Sequence, residues 1–267
     1  MSQLLRHFKL DAHPFGRTTP AQAVLRHRGF LEALERLRFT VELDSIGTLL
    51  AEPGCGKSLL LGHLADELQR QQWLVHYFAH STVGPFGLVN VLARKVGVSP
   101  RRSRAETAQA LAQTLMEDER KHLLVLDEGH ELPDNTLHDV RLLTIGDFDR
   151  KSPFVLLLAG QPELAEPLAE PVHHALDQRI TTIARLSPLS LDETRDYLAH
   201  RLTAVGAKKG DSLFEPGAVD AIFDASGGVP RRVNNLATSA LIVAATRRHQ
   251  LVDAEDVHDA RLDRGRA

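Results

Sequence analysis

Short continuous apolar runs alternate, through the first two-thirds of the chain, with longer stretches whose apolar positions recur every three or four residues. The runs, at 46–50, 74–78, 123–126, 154–158 and more weakly 182–186, have the length of strands. The stretches at 58–69, 88–96, 105–117 and 135–143 have helical spacing. Unbroken apolar strands separated by helices predict a parallel sheet covered on both faces, since a strand buried on both sides has no polar alternate. Ser103 with Glu106 marks one helix start, where hydroxyl and carboxylate can each satisfy an orphan backbone N–H. Past Pro188 the strand signals cease. Ser190 and Glu193 repeat the capping pattern, Tyr197, Leu198, Arg201 and Leu202 follow at helical spacing, and helices are expected over 216–223, 229–245 and 253–261. The pattern divides the chain into a lead-in (1–28), an α/β core (29–189) and a small helical domain (190–267). The lead-in, with His13-Pro14-Phe15 and Thr18-Thr19-Pro20, reads as ordered but without regular structure.

Composition narrows the picture. With 267 residues, 43% of them hydrophobic, the chain has enough apolar material for one substantial core and a small second module. A formal net charge of −3 argues against a generally basic nucleic-acid binder, so any polyanion contact must come from a local patch or from many subunits together. The single cysteine, Cys55, allows no intrachain disulfide, which suits a reducing compartment. No apolar region of signal-peptide length opens the chain, and the runs at 123–126 and 154–159 are far shorter than a membrane span. A cytoplasmic protein with no membrane partner is the expectation.

The candidate chemistry begins where the first strand ends. Ala51-Glu52-Pro53-Gly54-Cys55-Gly56-Lys57-Ser58 follows a strand and opens a helix, matching the P-loop pattern with alanine at the first glycine. Gly54 and Gly56 allow backbone N–H groups to close around phosphate oxygens, Lys57 brings a charge to the β- and γ-phosphates, and Ser58 offers a hydroxyl to Mg²⁺. Pro53, Cys55 and Leu59 complete the stretch expected to touch the nucleotide. Cys55 reads as filler at a permissive position rather than as a redox centre. About seventy residues on, His122-Leu123-Leu124-Val125-Leu126-Asp127-Glu128 is a buried strand ending in two carboxylates. Ligands of such sheets bind beyond the carboxyl ends of the strands, so Asp127 suits the magnesium shell and Glu128 suits orienting or deprotonating a water. That order favours hydrolysis over binding alone, and without an Asn-Lys-x-Asp guanine-reading motif the expected nucleotide is ATP. The next strand ends in Gly160-Gln161-Pro162-Glu163, where Gln161 either reaches the γ-phosphate or lytic water or simply caps a helix.

With these segments placed, the chain resembles the AAA+ ATPases, and within them the ExeA/TniB-like group, over nearly its whole length. The resemblance rests on the lead-in Phe8–Phe15, the P-loop, Leu126-Asp127-Glu128-Gly129-His130, Leu158-Ala159-Gly160-Gln161-Pro162-Glu163-Leu164, Asp177-Gln178-Arg179-Ile180, and Gly227-Gly228-Val229-Pro230-Arg231-Arg232-Val233-Asn234. It implies a P-loop NTPase core, a parallel sheet between helices, with a C-terminal helical lid and a nucleotide held between them, usually at a subunit boundary. It implies Pro14 and Phe15 near the adenine, Gln161 as sensor 1, Arg231 as sensor 2, and Arg179 as an arginine finger offered to a neighbour's ATP. Each arginine has a plain alternative as a solvated or salt-bridged surface group.

Members of that group divide between two tasks. In one, an ATP-bound homo-oligomer, ring or helical filament, coats duplex DNA and recruits or stimulates a transposase, as in TniB/TnsC-type proteins. In the other, of the ExeA or general-secretion A type, a cytoplasmic ATPase is followed by a membrane span and a cell-wall-binding domain. Because the chain stops after the helical domain with neither, the transposition reading is the first expectation and the secretion type its alternative. Arg94, Lys95, Arg101, Arg102 and Arg104 are the candidate DNA contacts, or else a solvated face. A stand-alone remodelling ATPase is a third option.

Overall fold

A computed structural model describes residues 3–16, 24–79, 87–133, 152–207 and 212–263, together with Thr136, Leu137, Val140, Leu143 and Gly265. In chain order the elements are α1 (Gln3–Phe8), α2 (Arg28–Glu42), β1 (Ile46–Ala51), α3 (Lys57–Arg70), β2 (Leu74–Phe78), α4 (Gly87–Lys95), α5 (Arg104–Glu117), β3 (His122–Leu126) and β4 (Val155–Gly160). They continue as the short helices α6 (Ala165–Ala169) and α7 (His174–Asp177), then β5 (Ile180–Leu186), α8 (Leu191–Thr203), α9 (Pro216–Ser226), α10 (Pro230–Arg247) and α11 (Ala254–Asp263). Contacts group these into two compact units, an α/β unit of residues 29–53 and 57–186 and a helical unit of residues 1–28, 54–56 and 187–267. Among the described residues no helix is long and apolar enough to cross a membrane.

The α/β unit is built on a five-stranded parallel sheet in the order β2-β3-β4-β1-β5. β1, β3 and β4 are buried along their whole length, which is why their sequences run apolar without alternation. The edge strand β5 instead alternates, with Thr182, Ala184 and Leu186 inward, so its pattern is diluted by polar residues. One apolar layer gathers Ile46, Leu50, Leu124, Leu126, Leu156 and Leu158 with Leu88, Leu92 and Leu111 from α4 and α5. In the stretch read as a helix over 135–143, Thr136, Leu137, Val140 and Leu143 are helical and buried; its other positions lie outside the described residues. Ser103 caps α5 as expected, its Oγ accepting the Glu106 N–H at 3.2 Å.

Two packing details set limits on substitution. Gly47 sits in β1 under a contact between the Thr40 and Thr182 hydroxyls. A Cβ there would stand 2.6 Å from Thr40 Oγ1 and 2.8 Å from Thr182 Oγ1, so the glycine is required for space. At the other end of the sheet the rings of His76 on β2 and His122 on β3 stack 5.4 Å apart, with Nε2 of the first 3.1 Å from Nδ1 of the second. Burial, then the neighbouring His122 and Lys95, pushes the His76 imidazole down to about 4, and burial lowers His122 as well.

The helical unit has its own core, formed by Leu198, Leu202, Phe214, Val219, Ile222, Val233, Ala237 and Leu241 with Leu5, Phe8 and Leu10 of the lead-in. The lead-in is thus not wholly irregular. Its first six described residues are helical, with Leu5 and Phe8 buried three positions apart, a signal too short to stand out in the sequence. Thr18-Thr19-Pro20 lies outside the described residues. Ser190 and Glu193 form the full reciprocal capping box of α8. On the same helix the buried Arg201 donates from Nε to the Pro14 carbonyl (2.7 Å) and from Nη2 to that of Gly16 (3.3 Å). A buried guanidinium needs such partners to offset its desolvation, and the lead-in carbonyls provide them.

Two outcomes follow for the α/β unit. Gly47→Ala overpacks the β1–α2–β5 contact and lowers unfolding free energy by about 1–3 kcal/mol in urea melts; an unchanged midpoint would show that the threonines yield freely. For the histidine pair the sign is set by folded values below the unfolded one. The unfolded chain takes up the proton first, so the stabilisation is complete above pH 6.5 and is lost as pH falls toward 4. His76→Phe, keeping a ring at the stack, should therefore lose less of its urea midpoint than the wild type between pH 7 and pH 4.5. Equal losses would contradict this account.

Candidate functional site

Every strand of the α/β unit points its carboxyl end to one edge, and the chain reverses its order beside β1, since β2 is laid down beyond β3 and β4. That reversal opens a crevice where ligands of doubly wound sheets bind. The loop after β1, the pair after β3 and Gln161 after β4 leave the sheet along this edge, with β4 lying between the other two strands.

The P-loop runs from Ala51, the last residue of β1, to Lys57, the first of α3. Gly54 and Gly56 take φ values of +93° and +105°, which side chains rarely adopt and which turn successive amides to one side. Lys57 is buried, its Nζ donating to the Ala51 carbonyl at 3.3 Å. The ammonium thus lies folded along the loop, at the start of a helix where amide N–H groups are unpaired. Pro53 and Leu59 are exposed on either side, and Cys55 is buried. Residues 54–56 group with the helical unit, where the Arg231 N–H, at the start of α10, donates to the Gly54 carbonyl (3.2 Å). A Cβ on Gly54 would meet Arg231 Cβ at 2.8 Å, so this glycine is needed for both φ and space.

At the end of β3, Asp127 is buried and each carboxylate oxygen accepts one hydrogen bond. Oδ1 accepts the Glu128 N–H (2.9 Å) and Oδ2 accepts the Tyr77 hydroxyl (2.6 Å). Burial first, then the hydrogen bond to Asp127, pushes the Tyr77 phenol up to about 12. The phenol therefore stays a donor at neutral pH. The Ser58 side chain lies near enough to the phenol to oppose that rise, so the P-loop serine and the carboxylate after β3 both border this hydroxyl. Two oxygen donors converging in this way, one of them anionic, fit Mg²⁺, which takes one or two protein oxygens and retains several waters.

Glu128 has a left-handed backbone (φ 54°, ψ 38°) and a half-exposed side chain. Asp127 accepting its N–H stabilises that turn. Glu128 Oε2 lies 3.7 Å from His130 Nδ1, and the same imidazole meets Gln161 twice: Nδ1 at 3.4 Å from the Gln161 N–H, and Nε2 at 2.8 Å from its side-chain amide. If Nδ1 accepts the backbone N–H, a neutral ring carries its proton on Nε2 and requires the amide oxygen there. His130 thus stands between the acid expected to handle water and the polar group of the neighbouring strand. Sequence reasoning assigned no role to His130 or Tyr77. His130 lies in a quoted motif; Tyr77 gave only the faint signal of a hydroxyl in an apolar strand.

Arg179 lies apart from this group. Arg179 immediately precedes β5, and with Ile46 opposite Ile180 it sits at the amino ends of the strands. That is the edge opposite the P-loop, roughly 20 Å away at the rise of a parallel strand, so it cannot serve the P-loop of its own chain. Phe15 packs in the helical unit against Phe214, ring centroids 6.2 Å apart, and the Pro14 carbonyl is bonded to Arg201. In the basic cluster Arg94, Lys95, Arg101 and Arg102 are exposed, while Arg104 is half-buried. Lys95 is already committed, its Nζ donating to the Tyr77 carbonyl (3.0 Å) and lying 4.4 Å from the Phe78 ring centroid.

Comparison with known proteins agrees with this geometry. Residues 41–168 match the family model described as AAA domain. General secretion pathway protein A of Aeromonas hydrophila is 34% identical over 137 residues, 51% of this chain and 25% of that protein. The chain spans about a quarter of the length of this curated relative. Among solved structures, Cdc6p of Pyrobaculum aerophilum superposes with a TM-score of 0.72 at 19% identity, covering 94% of this chain and 70% of the other. The ORC1 protein of Aeropyrum pernix, solved in complex with DNA, gives 0.63 at 21% identity, covering 94% and 68%. RuvB of Thermotoga maritima gives 0.54 at 22% identity, covering 88% and 66%. At these identities the structures speak for the fold alone. Residues 41–168 thus resemble an AAA domain, and the chain shares the fold of these structures: a five-stranded parallel P-loop core with C-terminal helices.

Proposed function

We propose that the protein is a Mg²⁺-dependent ATPase that works as a nucleotide-controlled switch in a homo-oligomer. The observation that carries this is the alignment on one sheet edge of the P-loop after β1, Gln161 after the intervening β4, and Asp127-Glu128 after β3. The amides of residues 54–57 bind the phosphates, and Lys57 turns its ammonium from the Ala51 carbonyl toward the β- and γ-phosphate oxygens. Ser58 and Asp127 would hold Mg²⁺, which when bound neutralises charge on the transferring phosphoryl group. Glu128 orients the attacking water and takes its proton. His130 steadies Gln161 and Glu128, so that both meet the γ-phosphate end of the site. Arg179, placed at the opposite edge, completes the site of a neighbouring copy. Arg231 and Phe15 are assigned to nucleotide contact on resemblance alone.

For the cellular task, we favour the secretion-associated type. The curated relative is a general secretion pathway protein, and it supports this alternative better than the transposition reading drawn first from the sequence. Where the chain ends carries no weight in that choice. The DNA reading rests on the basic cluster, of which Lys95 is tied to β2 and Arg104 is half-buried. Sedimentation of the protein with duplex DNA and a non-hydrolysable ATP analogue at low salt tests it. Absence of nucleotide-dependent pelleting fits the secretion type, whereas ATP-dependent, salt-sensitive coating of DNA would restore the transposition reading.

The catalytic assignment is tested by two variants in a phosphate-release assay. Glu128→Gln should lower kcat by roughly 10²–10⁴-fold while leaving nucleotide affinity within a fewfold, since only the proton-accepting group is removed. Normal turnover in that variant would remove Glu128 from the mechanism. Arg179→Ala should lose about 10³-fold or more in rate with nucleotide affinity retained, and mixing it with Lys57→Ala protein should restore some of the activity. No restoration in the mixture would argue that Arg179 does not act across a subunit boundary.

A further inference from the structure

Tyr77 belongs to none of the motifs above, yet its hydroxyl lies between two of them. Oη donates to Asp127 Oδ2 at 2.6 Å, and the Ser58 side chain lies near enough to act on the phenol. The end of β2 that carries it is fixed from two sides. The Tyr77 carbonyl accepts from Lys95 Nζ (3.0 Å), and the next carbonyl, that of Phe78, accepts the Asp127 N–H (2.9 Å). The Lys95 ammonium lies over the Phe78 ring at 4.4 Å from its centroid. The backbone beneath the phenol is therefore pinned to α4 and to the residue it contacts, while the side chain is 40% exposed at the rim. A phenylalanine would fill the same place in the sheet. What the tyrosine adds is one hydroxyl, directed at the two oxygen donors that fit a divalent cation.

We propose that Tyr77 is a positioning residue for the divalent cation, its hydroxyl holding Ser58, from the first turn of α3, and Asp127, from the end of β3, in the mutual orientation the ion requires. Mg²⁺ demands near-octahedral geometry and loses water reluctantly, so donors that follow two strands separated by β4 must be set before the ion arrives. Asp127 is held at Oδ1 by the Glu128 N–H; Tyr77 fixes its other oxygen and links it to the serine. Partners of this kind, behind the donors themselves, are typically worth about 10–100-fold in metal affinity. The proposal rests on the ATPase reading, and the experiment separates the failure of one from the failure of the other.

The test is binding rather than turnover. A fluorescent ATP analogue is titrated with the full chain in EDTA, then at fixed protein and nucleotide with increasing MgCl₂, for wild type and Tyr77→Phe. The expected result is an unchanged affinity in EDTA, with the Mg²⁺ concentration for half-maximal enhancement raised about 10-fold or more in the variant. In an Asp127→Asn background, adding Tyr77→Phe should shift that midpoint less than about twofold, because the partner of the hydroxyl is altered. A merely structural role for Tyr77 would change thermal stability and affinity in EDTA but leave the Mg²⁺ midpoint in place. If wild type binds the nucleotide with Mg²⁺ enhancement and Tyr77→Phe shows the same or a lower midpoint, the proposal is overturned while the ATPase reading stands. If wild type binds no nucleotide, both fall together.

Discussion

Because all five strands run the same way, whatever follows each of them leaves by the same edge of the sheet. The P-loop, a pair of acids and a polar amide, spread over more than a hundred residues of sequence, are brought to one edge by that polarity. The order of strands supplies the rest. With β4 between β1 and β3, Gln161 falls between the loop and the acids, and with β2 outside β3, Tyr77 reaches Asp127 from the other flank. The same polarity sends Arg179 to the far edge. The leucines of β1, β3 and β4 hold this arrangement, since a sheet buried on both faces leaves no register in which a polar residue would be comfortable.

Asp127 is where these constraints meet. Its N–H is bound by the Phe78 carbonyl, one oxygen by the Glu128 N–H and the other by the Tyr77 hydroxyl. A buried carboxylate without such donors would be costly. With them, the acid is fixed in direction and its charge is spread over two hydrogen bonds. One neighbour is the residue proposed to handle water and another is the phenol proposed to position the cation, so a disturbance at Asp127 would reach both proposed roles. His130 has a comparable role nearby, linking the end of β3 to the end of β4 through both ring nitrogens.

Much of the α/β unit was legible because its physics is local. A strand buried on both faces must be largely apolar, a P-loop must carry glycines where φ is positive, and Ser190 with Glu193 must satisfy the first N–H groups of α8; each leaves a mark within a few residues. What escaped is what depends on contacts between distant positions. Tyr77 meets Asp127 fifty residues away, and His130 meets Gln161 across thirty-one; no spacing rule records either. The helix Gln3–Phe8 was missed for a different reason: six residues carry too little periodicity, and its stability comes from burying Leu5 and Phe8 in the helical unit. The cellular task left the weakest trace, since a switch and its partner are coupled through surfaces that the P-loop chemistry does not determine.

Glu128 carries a further implication. Its left-handed backbone is a conformation that glycine or asparagine adopts with ease and that costs a β-carbon-bearing residue about 1 kcal/mol. A chain refined for endurance alone would place one of those residues there. Under the proposed mechanism the acid at this corner sets durability against chemistry, and efforts to toughen the protein by relieving unfavourable torsions would converge on the position that turnover could least spare.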